Sequence, residues 1–182
     1  MPDFRVADVG LAGEGRKLIA WAEAHMPVLM RIRARFAEER PLEGLKVGCC
    51  LHVTKETAVL VRTLVAGGAE VSLCGSNPLS TNDAVAAALA EEGVAVFAWR
   101  GLSREEYYWC IERVLAHGPR LVHDDGADLI ATLHERHKGL AGQVICGFEE
   151  TTTGVIRLKA MEREGVLAFP IIAVNEARTK RM

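Results

Sequence analysis

The sequence lacks the features that would indicate a membrane or a nucleic acid as its partner. No apolar run approaches the roughly 18 residues that a membrane-spanning helix needs, and the N-terminal segment has no apolar signal-peptide core. Lys and Arg number 22 against 24 Asp and Glu, which leaves a net charge of -2. A balance so close to neutral gives no electrostatic reason to expect nucleic acid. We therefore expect a cytoplasmic protein whose partners are small molecules or other subunits.

Disulfide and metal-binding patterns are also absent. The cysteines are odd in number, have no CxxC spacing and lie mostly in apolar runs, which is typical of buried, reduced thiols. They are Cys49, Cys50, Cys74, Cys110 and Cys146. His134, Glu135 and His137 do not have the HExxH spacing, so we expect no metal site there.

Apolar runs and amphipathic segments alternate along most of the chain. The strand candidates are Leu45–Leu51, Ala69–Cys74, Val94–Ala98, Arg120–His123, Gln143–Cys146 and Phe169–Val174. The helix candidates between them include Thr57–Val65, Asp83–Glu91, Arg104–Ala116 and Gly154–Glu164. A helical region over Glu14–Arg40 precedes them, and Pro27 predicts a break within it.

This alternation predicts a three-layer, Rossmann-like α/β domain. We expect a mostly parallel sheet of roughly six strands, flanked by helices on both faces and preceded by the N-terminal helical region. A single domain covers residues 1–182, with the helical region in about 1–42 and the βα units in about 45–182.

Polar side chains follow the strand candidates at the point where each strand ends. Those that bear on a site are His52, Thr54, Glu56, Ser76, Asn77, Ser80, Thr81, Asp83, His123, Asp124, Asp125, Asp128, the run Glu149–Thr153, Asn175, Glu176 and Lys180. The carboxyl ends of parallel strands meet at one edge of the sheet, where open α/β sheets bind ligands. His, Asp, Glu and Lys gathered at that edge can hold a sugar-like polyol and carry out acid-base chemistry. We therefore predict a small-molecule site there.

The segment Phe148–Gly154 is the most polar of these turns. It lies between a strand-like run, Val144–Cys146, and a stretch of helical spacing. Its carboxylates and hydroxyls are expected at a helix N-terminus, where they face a ligand or cap the helix. Taken alone, the pair Asp124–Asp125 also suits a turn, and Asp128 a helix cap.

Motifs along nearly the whole chain resemble S-adenosylhomocysteine hydrolase, also called adenosylhomocysteinase. The motifs are Cys50–Leu60, Ser76–Asp83, Val96–Gly101, Asp124–Leu129 and Glu149–Gly154, with shorter matches at Trp21–Glu23, Met26–Met30, Val174–Asn175 and Thr179–Lys180. The sequences of these motifs are similar to those of the shorter family members found in thermophilic bacteria and archaea.

The resemblance implies reversible hydrolysis of S-adenosylhomocysteine to adenosine and homocysteine with NAD as cofactor. Oxidation of the ribose 3′-hydroxyl by NAD acidifies the C4′ hydrogen. Homocysteine then leaves from C5′, water adds, and the hydride returns. By resemblance, Thr54 and Glu56 hold the adenine, and Glu150 and Thr151 hold ribose hydroxyls.

The resemblance also implies which residues move protons. His52 and Asp125 lie near C4′ and C5′, where one of them serves the leaving thiol or the entering water, and Lys180 lies beside the 3′-hydroxyl. The run Thr151–Thr153 resembles the part of the family that touches the nicotinamide end of NAD. Two further site residues are predicted, Ser80 and Asn175.

The sequence departs from the family pattern in small and large ways. The small departures are at Glu14, Asn82, Phe148 and Glu176, and Phe148 replaces a small residue beside the predicted pocket. In full-length relatives the chain continues into a complete NAD-binding domain. The glycines at 10, 13 and 15 have the wrong spacing for a phosphate loop, so we expect that domain to be absent and NAD not to bind tightly to this chain alone.

Three functions are consistent with these observations. The favoured one is the substrate-binding portion of the hydrolase, either truncated or one chain of a split enzyme, with a homo-oligomer expected of the full-length form. The second is a non-catalytic adenosine-type binding module without its cofactor half. The third is the same chemistry on S-inosylhomocysteine.

Overall fold

The computed structural model describes residues 3–181 as a seven-stranded, all-parallel sheet with helices on both faces. Met1, Pro2 and Met182, the ends of the predicted domain, lie outside the described residues. The strands are β1 (Arg5–Val6), β2 (Lys46–Cys50), β3 (Glu70–Cys74), β4 (Ala95–Ala98), β5 (Leu121–Asp124), β6 (Cys146–Glu149) and β7 (Ile171–Ala173). Their order across the sheet is β1-β4-β3-β2-β5-β6-β7. The predicted α/β class is confirmed.

The described helices are α1 (Ala12–His25), α2 (Pro27–Glu39), α3 (Lys55–Ala66), α4 (Asp83–Glu91), α5 (Arg104–Ala116), α6 (Asp128–Arg136), α7 (Lys138–Ala141) and α8 (Thr152–Arg163). Pro27 occupies the first turn of α2, where its missing N–H would have no partner in any case. The predicted break in the N-terminal helical region is therefore confirmed.

Two apolar cores lie on the two faces of the sheet. Successive residues of a strand point to opposite faces, so that Cys49 packs in one core and Cys50 in the other. Buried residues of α1, α3 and α4 fill the first core, and those of α5, α6 and α8 fill the second. Four of the five cysteines are buried and all five are free thiols, as the sequence predicts.

Two differences from the predicted strands are larger than the shifts of one or two residues found at the other strand ends. β1 has only two residues and is too short to leave a pattern. The predicted strand Gln143–Cys146 lies three residues further on, as β6, because Gln143 and Val144 instead close turns onto Leu140 and Ala141. Glu149 therefore belongs to the strand and not to the turn after it.

The strand order places a switch point between β2 and β5. The chain runs outward from β2 through β3 and β4, then returns to pair β5 with the other edge of β2. Cys50 pairs with Asp124, and Asp124 with Glu149, so these three strands end level with one another. Ligands of open α/β sheets bind in the crevice that such a reversal creates. Within residues 3–181, no helix is both long enough and apolar enough to cross a membrane.

Candidate functional site

A cleft of about 780 Å³ opens at the switch point, at the carboxyl edge of the sheet. Its lining combines apolar residues of α2 and α3 with polar residues from the turns after β2, β5, β6 and β7. The lining residues are Met26, Leu29, Leu51, His52, Thr54, Glu56, Thr57, Leu60, Asp125, Glu150, Thr151, Asn175 and Lys180. Eight of the sequence-predicted site residues therefore meet in one cleft of a size suited to a small organic molecule.

His52 is held between hydroxyl groups and a carboxylate. Its ring Nδ1 lies 2.7 Å from Ser80 Oγ and 3.3 Å from Ser76 Oγ. On the opposite side of the ring, Nε2 lies 3.4 Å from Asp125 Oδ2. An imidazole fixed on one nitrogen and facing a carboxylate with the other is well placed to transfer protons within the cleft.

Glu150 is the centre of a second polar group. Its Oε1 lies 2.9 Å from His123 Nε2, and its Oε2 accepts a hydrogen bond from Lys180 Nζ at 2.7 Å. The hydrogen bond with His123 and the charge of Lys180 outweigh partial burial and lower the pKa of Glu150 to about 2. The ionised carboxylate still has lone pairs that can accept hydrogen bonds from two hydroxyls of a ligand.

Lys180 reaches Glu150 at two points. Besides the carboxylate, Nζ donates to the backbone carbonyl of Glu150 at 2.9 Å. The side chain comes from a 3₁₀ turn, Arg178–Arg181, beyond β7, and these two contacts hold it against the cleft. The ammonium is therefore placed where a ligand hydroxyl bound to Glu150 would meet it.

The opposite end of the cleft is formed by the start of α3 and by apolar side chains. Thr54 is the N-cap of α3 and accepts a hydrogen bond from Thr57 N at 3.3 Å. Glu56 follows in the first turn, and the ammonium of Lys55, 2.8 Å from Glu56 Oε1, lowers the pKa of that carboxyl group. The apolar wall consists of Met26, Leu29 and Leu60. An apolar wall with a carboxylate beside it suits a heterocycle that carries an amino group.

In each of the acidic pairs Asp124–Asp125 and Glu149–Glu150, only the second residue faces the cleft. Glu149 and Asp124 are fully buried, and only Glu150 and Asp125 line the cleft. Burial raises the pKa of Asp124 to about 8 and also raises the pKa of Glu149. The expectation that Glu149 faces a ligand is wrong, because its position in β6 turns the side chain inward.

Asp128 does not cap α6. The N-cap is Ala127, and the Asp128 carboxylate instead accepts hydrogen bonds from Tyr107 Oη at 3.0 Å and Arg157 Nη1 at 2.8 Å. His134 and His137 are engaged by neighbouring groups at the ends of α6. Among the described residues, no three His, Cys, Asp or Glu side chains are placed to hold a metal ion.

Three predicted residues lie outside the cleft lining. Ser80 does not line the cleft, but its hydroxyl contacts the ring of His52. Thr152 accepts a hydrogen bond from Asn175 Nδ2 at 2.9 Å, and Thr153 is exposed at the start of α8.

Thr152 and Thr153 are the residues to consider for contact with a dinucleotide cofactor. Beside Thr151, their hydroxyls are open to one end of such a ligand, but the chain has no glycine-rich loop to hold its pyrophosphate. The described residues therefore suit contact with one end of a dinucleotide but not with its pyrophosphate.

His123 belongs to the polar strand-end residues that the sequence indicates, but the sequence assigns it no role in the site. It is the third residue of β5 and its side chain is only 13% exposed, yet it bonds to Glu150 across the neighbouring strand. Its position before Asp124 and Asp125 indicates the strand end, but the pairing with Glu150 depends on the order of the strands.

Comparisons with known proteins agree on one family. The family profile described as S-adenosyl-L-homocysteine hydrolase matches residues 3–146 and 136–182. An adenosylhomocysteinase of Aeropyrum pernix is 60% identical over 179 residues, which cover 98% of this chain and 43% of that protein. An adenosylhomocysteinase of Aquifex aeolicus is 60% identical over 181 residues, with 99% and 43% covered.

A relative named for a different activity is equally similar. The S-inosyl-L-homocysteine hydrolase of Methanopyrus kandleri is 61% identical over 178 residues, which cover 98% of this chain and 42% of that protein. The chain thus spans less than half the length of each of these relatives.

Proposed function

Because the chain belongs to the S-adenosyl-L-homocysteine hydrolase family, we propose that its cleft binds the nucleoside part of S-adenosyl-L-homocysteine. In this proposal the chain is the substrate-binding portion of an enzyme that reversibly hydrolyses this thioether to adenosine and L-homocysteine. The observation that carries the proposal is the convergence of His52, Asp125, Glu150 and Lys180 on one cleft, opposite the apolar wall and Glu56.

The cleft has two ends that suit the two parts of a nucleoside. The purine lies against the apolar wall, where Glu56 accepts a hydrogen bond from the exocyclic amine and Thr54 contributes its hydroxyl. The ribose lies at the other end, where Glu150 accepts from its hydroxyls and Thr151 adds a further polar contact. This orientation follows from the chemistry of each end, since a carboxylate already paired with Lys180 and His123 favours hydroxyl donors.

Two groups of residues are placed to move protons. Lys180, beside Glu150, assists loss of the proton from the 3′-hydroxyl. His52 and Asp125 face C4′ and C5′, where one of them takes the C4′ proton or serves the leaving thiol and the entering water. The two side chains lie 3.4 Å apart, so the proton-transfer roles are proposed for the pair and not for either residue alone.

NAD, when bound, supplies the oxidation of the 3′-hydroxyl and its later reduction. Thr151, Thr152 and Thr153 are the residues of this chain that fit its nicotinamide end. The rest of the dinucleotide needs a phosphate-binding domain, which further polypeptide of the enzyme provides in this proposal. We propose that the full-length enzyme is a homo-oligomer.

The test is an assay of the native protein with NAD and any polypeptide that co-purifies with it. We expect release of adenosine from S-adenosyl-L-homocysteine, loss of that activity in Asp125→Asn, and unchanged activity in the control Glu162→Gln, which alters an exposed residue of α8. A protein that neither hydrolyses the thioether nor binds adenosine would contradict the proposal.

A second substrate is supported by the same end of the cleft. Hypoxanthine differs from adenine in presenting a carbonyl acceptor where adenine presents an amine donor, and Lys55 places an ammonium 2.8 Å from Glu56. A relative of 61% identity is named S-inosyl-L-homocysteine hydrolase. Parallel titrations with adenosine and inosine decide between the two, and tighter binding of inosine would favour the inosyl substrate.

A further inference from the structure

The acidic pairs Asp124–Asp125 and Glu149–Glu150 share one arrangement. Asp124 and Glu149 pair in register at the ends of β5 and β6, and both are fully buried. The next residue of each pair, Asp125 or Glu150, faces the cleft. Each strand thus ends in one carboxylate that faces inward and one that faces the cleft.

The carboxylate of Glu149 joins two different turns. Its Oε1 accepts hydrogen bonds from Gly126 N at 2.8 Å and from Thr151 N at 3.0 Å. Gly126 belongs to the turn that carries Asp125, whereas Thr151 directly follows Glu150. One buried oxygen atom therefore connects the backbones on both sides of the cleft floor.

The side chain of Asp124 holds the turn that carries Asp125 and Gly126. Its Oδ1 accepts from Asp125 N at 3.0 Å, and its Oδ2 accepts from Ile130 N at 2.8 Å in α6. These bonds and the bond from Gly126 to Glu149 hold the turn at both ends. Asp125 is therefore presented by a backbone that two buried carboxylates fix.

The turn needs such support because its backbone is strained. Gly126 has φ 112°, and the next residue, Ala127, has φ 63° although it carries a Cβ. Left-handed backbone costs a residue other than glycine roughly 1–2 kcal/mol. Strain of this kind persists at functional sites only where surrounding contacts compensate for it.

Gly154 leaves room for the Glu149 carboxylate. A Cβ at position 154 would lie 2.2 Å from Glu149 Cδ, which is far inside van der Waals contact. Glycine in the first turn of a helix has no advantage in propensity. Its presence here is explained by the side chain of Glu149, which lies under the N-terminus of α8.

We infer that Glu149 is a positioning residue, which locks the Asp125 turn and the Glu150–Thr151 turn together so that their side chains meet the nucleoside in one geometry. This role deepens the proposed function and rests on it for the identity of the ligand. Glu149 itself contacts no ligand, because it is fully buried beneath the cleft.

The test measures backbone hydrogen exchange in the native protein by mass spectrometry. Glu149→Met keeps the length of the side chain but removes the oxygen atom that accepts from both Gly126 N and Thr151 N. We expect exchange to accelerate about tenfold in peptides that contain Gly126 and Thr151, as loss of a buried hydrogen bond to a carboxylate predicts. Peptides from α5 should keep their wild-type rates, and Glu162→Gln should match the wild type throughout.

A second variant displaces the carboxylate without removing it. Gly154→Ala forces Glu149 out of its position, so it should accelerate exchange in the same two turns. Both variants should also weaken adenosine binding by about tenfold or more when measured well below the melting temperature of each variant.

Two outcomes would overturn the inference. One is unchanged exchange in both turns in both variants. The other is uniform acceleration that includes α5, which would make Glu149 a residue of general stability. Because exchange is read without substrate, absence of adenosine binding in the wild type would refute the proposed function alone and leave the positioning role decided by the exchange data.

Discussion

His52 is anchored by Ser80 from the turn after β3, with 2.7 Å between its ring Nδ1 and the serine hydroxyl. Ser80 Oγ is in turn 3.2 Å from the carbonyl oxygen of Asn77, which orients the hydroxyl. The ring edge that carries Nε2 is thereby turned toward Asp125. Half of the His52 side chain is exposed, so packing alone does not fix the orientation of the ring.

Ser80→Ala is therefore expected to reduce turnover more than substrate binding. Loss of the anchoring bond frees the ring to rotate, and we expect kcat to fall about tenfold with little change in KM, as for removal of a group that orients an acid-base catalyst. Steady-state kinetics of the native enzyme would measure both constants.

Ser76→Ala is the matched control for this prediction. Ser76 Oγ lies further from the ring nitrogen, at 3.3 Å, and its loss should have a smaller effect. Equal effects of the two variants, or none, would show that Ser80 does not orient His52.

Glu150 should stabilise the fold in a pH-dependent way. Its pKa is lowered from 4.5 to about 2 by His123 and Lys180. A carboxyl group with a lowered pKa stabilises the folded state above its unfolded pKa, and that stabilisation is lost as the pH falls through the folded pKa. For Glu150 the loss falls between about pH 4.5 and pH 2 and amounts to on the order of 1–3 kcal/mol.

Chemical denaturation of the wild type and Glu150→Gln would measure this effect. The variant should be less stable at pH 6, and its deficit should shrink toward pH 3, where the wild-type carboxylate begins to lose its advantage. Glu162→Gln, in the exposed part of α8, should show no such trend. A deficit that is constant over this pH range would mean that Glu150 is not held ionised by its two partners.

The sheet and its ligand edge could be predicted from the sequence, because parallel strands covered on both faces leave apolar runs that end in polar turns. β6 was misplaced since Gly147 and Glu149 interrupt its apolar pattern. The burial of Glu149 could not be foreseen, because acidic side chains are almost always exposed unless paired.

The pairing of His123 with Glu150 illustrates a second limit. These residues are 27 positions apart and meet because β5 and β6 are neighbours in register. The sequence shows that each strand ends in polar residues but not which strands are adjacent. Only the strand order shows that His123 pairs with Glu150 and so supports the site.

Glu56→Gln should weaken adenosine binding. Replacing the carboxylate removes a charge-assisted hydrogen bond with the exocyclic amine, which corresponds to about 1–3 kcal/mol in binding free energy. Isothermal titration of the native protein with adenosine would measure the loss. Binding of inosine, which has no such amine, should change less. An unchanged dissociation constant for adenosine would remove Glu56 from the purine end of the cleft.

NAD should not bind tightly to this chain alone. The hydroxyls of Thr151, Thr152 and Thr153 suit only the nicotinamide end, and tight binding of a dinucleotide depends on a glycine-rich turn and a helix N-terminus that hold the pyrophosphate. Calorimetry of the 182-residue chain with NAD should therefore show weak heats without saturation in the micromolar range.

Adding adenosine tests whether the threonines contribute at all. In the proposed orientation the ribose of a bound nucleoside lies beside Thr151 at the start of α8, so NAD should bind more tightly in the presence of adenosine, and Thr152→Val should cancel that gain. Glu162→Gln on the same helix is the control. Micromolar affinity for NAD alone would contradict this division of the cofactor site, because the chain would then hold the pyrophosphate without a glycine-rich loop.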